Sequence, residues 1–146
     1  MGLSTDSIFI YALSASEDIV QAVDGRIYGT AIPLPDEEAD NVPVPYVIVT
    51  FDGLNNQNQT KDDVYEGSYD TVNIGVEVTG ETINDLHELT QAVRDTILSY
   101  FRENETAVSD YTFTADAIQF DSLKPCYWQT LHYQCEVYNL NDDEQD

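Results

Sequence analysis

The tightest constraint in this sequence is an abrupt change of period. Between Tyr69 and Thr79, Val72, Ile74, Val76 and Val78 alternate with the polar residues Thr71, Asn73, Glu77 and Thr79. That is the two-residue period of a β-strand with one apolar and one polar face. Immediately afterwards Leu86, Leu89, Val93, Ile97 and Phe101 recur at three- to four-residue spacing and form one apolar stripe of a helix. Thr82 is placed to cap that helix, with Asp85 completing a weak capping box. Two adjacent one-sided elements bury their apolar faces most simply by packing the helix on the strand's sheet, which leaves the other face of the sheet uncovered.

The remaining segments fit around that pair. Residues 4 to 25 read as two short helical pieces. Ser4 or Thr5 caps the first, which carries Ile8, Phe9, Tyr11, Ala12 and Leu13. Ser16 starts the second, with Glu17 and Asp18 at its positive end, Ile19, Val20 and Val23 inward, and Gly25 as the left-handed residue that stops it. Residues 26 to 32 form a short extended segment, and Pro33, Pro35, Pro43 and Pro45 bracket an acidic loop with Asp36, Glu37, Glu38 and Asp40. Tyr46 to Phe51 is a strand that Asp52-Gly53 ends. Leu54 to Ser68 then reads as a long polar loop, with Asn55, Asn56, Gln57, Asn58, Gln59, Lys61, Asp62 and Asp63; loops of this length in small domains are usually functional or mobile. After the long helix come strands from Tyr111 to Phe120 and from Cys126 to Leu140, joined by a turn around Ser122 to Pro125. The expected architecture is α/β (α+β), in the order α-α-β-β-β-α-β-β. An antiparallel or mixed sheet is packed by one long helix and a short N-terminal helical segment. A length of 146 residues suits one domain over 1–140, with 141–146 as an acidic, disordered tail.

Charge narrows the function. Twenty-eight acidic residues face five basic ones, a net charge of −23. Five scattered cations cannot neutralise a run of phosphates, so direct nucleic-acid binding and anionic membrane surfaces are both disfavoured. The N-terminus lacks the basic and long apolar stretches of a secretory signal, and no apolar run is long enough to span a bilayer. An apolar content of 42 % with ten Tyr and five Phe is too rich for a disordered acidic chain. Cys126 and Cys135 lie an odd number of residues apart on one expected strand, hence on opposite faces, and are read as reduced thiols.

No catalytic constellation emerges. The sequence has no phosphate-cradling glycine loop and no nucleophile elbow, and His87 and His132 have no ligand partners at metal spacing. His87 reads as a solvated helix residue and His132 as a strand-face residue. The runs at residues 36–40 and Asp62-Asp63 lack the spaced ligands and central glycine of a calcium loop and read as solvated charge. The aromatic residues of the last strand read as core or protein interface rather than a base-stacking platform. No enzyme activity, cofactor or metal is expected, and the chain is read as acting through contact with other proteins.

The residues also resemble a known family. Asp24-Gly25-Arg26-Ile27-Tyr28 follows the N-terminal helix, and a proline-rich stretch leads into Pro45-Tyr46-Val47-Ile48-Val49. The strand ending Val76-Glu77-Val78-Thr79-Gly80 precedes a helix with Leu86, Leu89, Ala92, Val93, Thr96, Ile97 and Leu98, and the closing strand runs from Tyr133 to Tyr138. In order and spacing, over about residues 5 to 140, this is similar to the tail-completion or tail-terminator family of long-tailed bacteriophages and prophages. The resemblance implies a sheet flanked by helices, assembled with its own copies as a ring, typically a hexamer. The ring caps the tail tube protein and offers its other side to the head-proximal connector protein. The implied place is the head-proximal end of the tail in the virion, after assembly in the host cytoplasm, with no enzyme activity and no cofactor. Gly25, Arg26, Ile27, Tyr28, Pro45 and Tyr46 match the family's motif and read as structural. The chain departs from the pattern in its acidity and in the polar insertion from Leu54 to Ser68.

Two expectations follow for such a ring. Part of the negative charge lines a pore through which DNA passes unbound, and the loop from Leu54 to Ser68 projects toward the tube. Like-charged subunits must also meet through apolar or aromatic surface, with Trp128, Tyr138 or the first helix as candidates. Arg26, Arg94 and Arg102 either bridge to a neighbour's carboxylates or pair within their own chain. The alternative function is an acidic DNA mimic that inhibits a basic DNA-binding protein; it accounts for the charge but not for the element order. A small hydrolase lacks a visible nucleophile–base pair.

Overall fold

The computed structural model describes residues 5–29, 43–56, 69–122 and 125–138. Among these residues, three helices, α1 (Thr5–Ser14), α2 (Glu17–Ala22) and α3 (Ile83–Glu103), accompany six strands: β1 (Ile27–Gly29), β2 (Val47–Asn56), β3 (Tyr69–Gly80), β4 (Val108–Ala115), β5 (Gln119–Asp121) and β6 (Cys126–Tyr138). The strands form one mixed sheet in the order β1-β2-β3-β6-β4, with β5 also paired to β6. β1 runs parallel to β2, and every other pairing is antiparallel. The centre is the β3–β6 pair, in register without a bulge from Tyr69 opposite Tyr138 to Gly80 opposite Tyr127.

The change of period does what it predicts. Val72, Ile74, Val76 and Val78 of β3 and Leu131, Tyr133, Cys135 and Val137 of β6 are buried on the face that meets Leu86, Leu89, Val93 and Ile97 of α3. α1 and α2 pack against the same helix, and α1 reaches β1, β2 and β3 on the same side. The Thr82 cap is formed, its hydroxyl accepting from the Asp85 amide at 3.0 Å.

Several local readings are corrected. Asp52-Gly53 does not end the second strand. The chain bulges between Phe51 and Gly53, where Gly53 has φ 141°, and then continues in register. Leu54, Asn55 and Asn56 therefore face Val72, Thr71 and Asp70 across a ladder rather than beginning a loop. An Asp-Gly pair turns a chain when two flanking strands pair with each other; here the partner is β3, and the extra residue is absorbed as a bulge. The stop of α2 falls one residue early. Asp24 takes the first left-handed position (φ 52°) and Gly25 the second (φ 75°). The Gly25 amide donates to the Val20 carbonyl and the Asp24 amide to the Gln21 carbonyl, the paired bonds of a Schellman stop. The expected strand from Tyr111 to Phe120 begins at Val108 and divides at residues 116–118 into β4 and β5. Of the segment 26–32, only Ile27–Gly29 is a described strand. The proline-bracketed run at 33–40, the residues from Gln57 to Ser68 and the C-terminal tail lie outside the described residues.

The thiols behave as expected. Neither is in a disulfide and both are buried, Cys135 in the core and Cys126 on the opposite face of β6. Burial pushes the Cys135 thiol up to about 12, where it is inert as a nucleophile.

The helix-free face of the sheet carries Glu77, which pairs across the ladders with Ile48 and Thr130. Burial raises its carboxyl above the ordinary value. A carboxyl raised by folding binds its proton more tightly in the native state. Its ionisation therefore costs stability at neutral pH, and that cost disappears as the pH falls through the folded-state value. Glu77→Gln should raise the melting temperature at pH 7, and the gain should vanish below the ordinary carboxyl value of about 4.3. Thermal melts of the two chains between pH 3 and pH 7 check this.

Candidate functional site

Among the described residues, those expected to carry contacts do not form one cluster. Arg26 is held by its own chain: Nε donates to the Pro45 carbonyl at 3.1 Å, and the guanidinium meets the exposed Asp24 carboxylate at 3.4 Å. It braces the stop of α2 against the entry of β2 within its own chain. Trp128 is half-buried on the helix-free face, paired with Thr79 and Gln119. Tyr138 ends β6 opposite Tyr69. Asn55 and Asn56 are strand residues, and the Asn56 amide donates to the Asp70 carboxylate at 2.8 Å. Gln57, Asn58, Gln59, Lys61, Asp62 and Asp63 lie outside the described residues.

Arg94 and Arg102 remain exposed on α3, and neither meets a carboxylate at salt-bridge distance among the described residues. Arg94 lies over the ring of Phe113 on β4, its Cζ 4.4 Å from the centroid, a cation–π contact between α3 and the edge strand. Arg102, in the last turn of α3, shares a hollow of about 190 Å³ with Leu98, Val108, Asp110 and Tyr111. At 3.6 residues per turn, Arg94, Leu98 and Arg102 fall on the β4 flank of the buried stripe, and Asp85, Glu88 and Ala92 on the α2 flank.

That α2 flank holds a feature the sequence did not reveal. Ala22, Pro45, Leu89 and Ala92 floor a groove of about 440 Å³ between α2 and the N-terminal half of α3, and Glu81, Asp85 and Glu88 rim it. The acids are visible in the sequence, but the floor combines residues from α2, the entry to β2 and α3.

A solved structure described as "Virion of native gene transfer agent (GTA) particle" contains a chain that superposes on this one with a TM-score of 0.56. The match covers 92 % of this chain and 94 % of that one, at 12 % sequence identity. At that identity the likeness is one of fold. No family model and no curated protein matches the sequence.

The described residues hold one acid–base pair the sequence reading missed. His132 Nε2 lies 2.7 Å from Asp116 Oδ2, with both side chains about half exposed. The β4–β6 ladder sets it up, since Thr114 faces His132 and Asp116 follows two residues later. Recognising the pair required knowing that β4 adjoins β6 and not β3. Among the described residues no three His, Cys, Asp or Glu side chains gather as a metal site.

Proposed function

We propose that this chain is a structural component of a phage-like virion, serving as a ring-forming tail terminator. In this reading several copies, six in the family it resembles, close on the tail tube and present their other side to the head-proximal connector. The chain transforms no substrate and holds no cofactor. The observation that carries the reading is the fold shared over nearly the full length of both chains with a chain of a gene transfer agent virion. The order and spacing of the elements support it from the sequence side. Acidity fits the same role, because a negative lumen repels the phosphates of transiting DNA instead of capturing them.

Electron microscopy of particles made without this gene product tests the proposal. Tails of uncontrolled length, or finished tails that fail to join heads, are expected. Normal virions would overturn it.

A further inference from the structure

We infer that one subunit binds the next head to tail, the Arg94–Leu98–Arg102 flank of α3 seated in the acidic groove between α2 and α3 of its neighbour. This deepens the reading of the chain as a self-assembling ring component, on which it rests, and names the partner surfaces.

The argument begins with repulsion. Two copies each carrying −23 attract electrostatically only where opposite charges are locally segregated. Of the five cations, Arg26 is engaged within its own chain and Lys61 and Lys124 lie outside the described residues. Arg94 and Arg102 are exposed on one flank of one helix, about 12 Å apart by helical rise, with the half-buried Leu98 between them. The groove is their counterpart, with its apolar floor for the leucine and three carboxylates for the guanidinium groups. Guanidinium is weakly hydrated and geometrically matched to carboxylate, so it suits a partly desolvated contact. Asp110 beside Arg102 is the one carboxylate that shares the basic hollow.

Placement decides the symmetry. The groove lies at the N-terminal half of α3 on the α2 flank, and the arginines lie at its C-terminal half on the β4 flank. Each copy therefore keeps one surface free after the other is filled. A contact between two different patches propagates into a ring when the rotation closes.

The test is sedimentation velocity on the full chain at 0.15 M salt, where the screening length is about 8 Å. The samples are the wild type, Arg94→Glu/Arg102→Glu, Glu81→Lys/Glu88→Lys, and an equal mixture of the two variants, each checked for folding by circular dichroism. The wild type should form concentration-dependent species larger than a dimer. Each variant alone should associate at least about tenfold more weakly. The mixture should recover, because each reversed patch then meets its complement. General repulsion predicts a different result: the first variant shifts the net charge from −23 to about −27 and the second to about −19, so the two would shift in opposite directions. The inference is overturned by a wild type that stays monomeric at every concentration or stops at two copies, by variants that match the wild type, or by a mixture that does not recover. Defective tails with a monomeric protein would remove this contact and keep the terminator role. Normal virions with patch-dependent oligomers would do the reverse.

Discussion

Phe9→Ala should destabilise the fold by about 4 kcal/mol, the cost of removing a fully buried aromatic side chain from a packed core. Phe9 has no exposed surface, and its ring lies 5.5 Å from that of Phe101 on α3 and 5.1 Å from that of Tyr133 on β6. Tyr111 and Phe113 of the edge strand β4 pack on the same Tyr133 ring at 5.6 and 5.2 Å. One side chain thus ties the first helix to the long helix and, through Tyr133, to the sheet's β4 edge. A ten-residue helix such as α1 is marginal alone, so losing this anchor removes most of what holds it. For a chain of this length the loss corresponds to a melting temperature lower by roughly 10–15 °C. Tyr11→Ala on the same helix is the control: Tyr11 is 65 % exposed, and its replacement should change stability by no more than about 0.5 kcal/mol. Thermal or urea denaturation of the three chains decides the matter, and equal losses for Phe9→Ala and Tyr11→Ala would refute it.

The same helix shows where the sequence stops being informative. α3 and β3 were legible because each repeats one apolar period without interruption, and the residues of that period, Val72, Ile74, Val76 and Val78 in β3 and Leu86, Leu89, Val93 and Ile97 in α3, are the ones buried in the core. α1 packs apolar residues nearly all round, and Ile8, Phe9, Tyr11, Ala12 and Leu13 do not say which of them faces inward. The structure buries Phe9, Ala12 and Leu13 and exposes Tyr11, a choice made by the neighbouring elements rather than by local pattern. Asp52-Gly53 misled for a related reason. Turn residues report local backbone freedom, and whether that freedom becomes a turn or a bulge depends on which strand lies alongside. Nothing local marks residues 116–118 as the break between β4 and β5 either.

Candidate surfaces were legible as residues but not as surfaces. Arg26, Arg94 and Arg102 stood out as cations in an acidic chain, yet their spacing could not show that one braces a helix stop while the other two share an exposed flank. The acidic groove depends on Ala22 and Pro45 meeting Leu89 and Ala92, and the Asp116–His132 pair on two strands becoming neighbours. Such juxtapositions belong to topology, which periodicity alone leaves open.

Gly80→Ala should cost about 3 kcal/mol, although it adds a single methyl group. A Cβ at Gly80 would stand 2.7 Å from the Leu86 amide nitrogen and 2.9 Å from its Cα, both backbone atoms in the first turn of α3. Neither side has freedom to withdraw. Leu86 is fully buried, and its amide donates to the Thr82 carbonyl at 2.9 Å. On the strand side the Thr79 hydroxyl accepts from the Tyr46 amide at 2.8 Å and donates to the Tyr46 carbonyl at 3.1 Å, fastening the end of β3 to the entry of β2. Replacing glycine by alanine also restricts the unfolded chain and offsets only about 0.4–1 kcal/mol of this. Gly75→Ala is the comparison that isolates the cause. Its Cβ would meet the Asp52 carboxylate at 2.6 Å and the Thr50 hydroxyl at 2.7 Å, the ends of exposed side chains that can swing toward solvent. Its loss should be less than half that of Gly80→Ala, and equal losses would show that the backbone approach at Leu86 is not the limiting contact. Gly80 also borders the acidic groove. Forcing α3 away from β3 at that point displaces Glu81 and Asp85 together, so the variant should weaken the self-association proposed above even at temperatures where it remains folded.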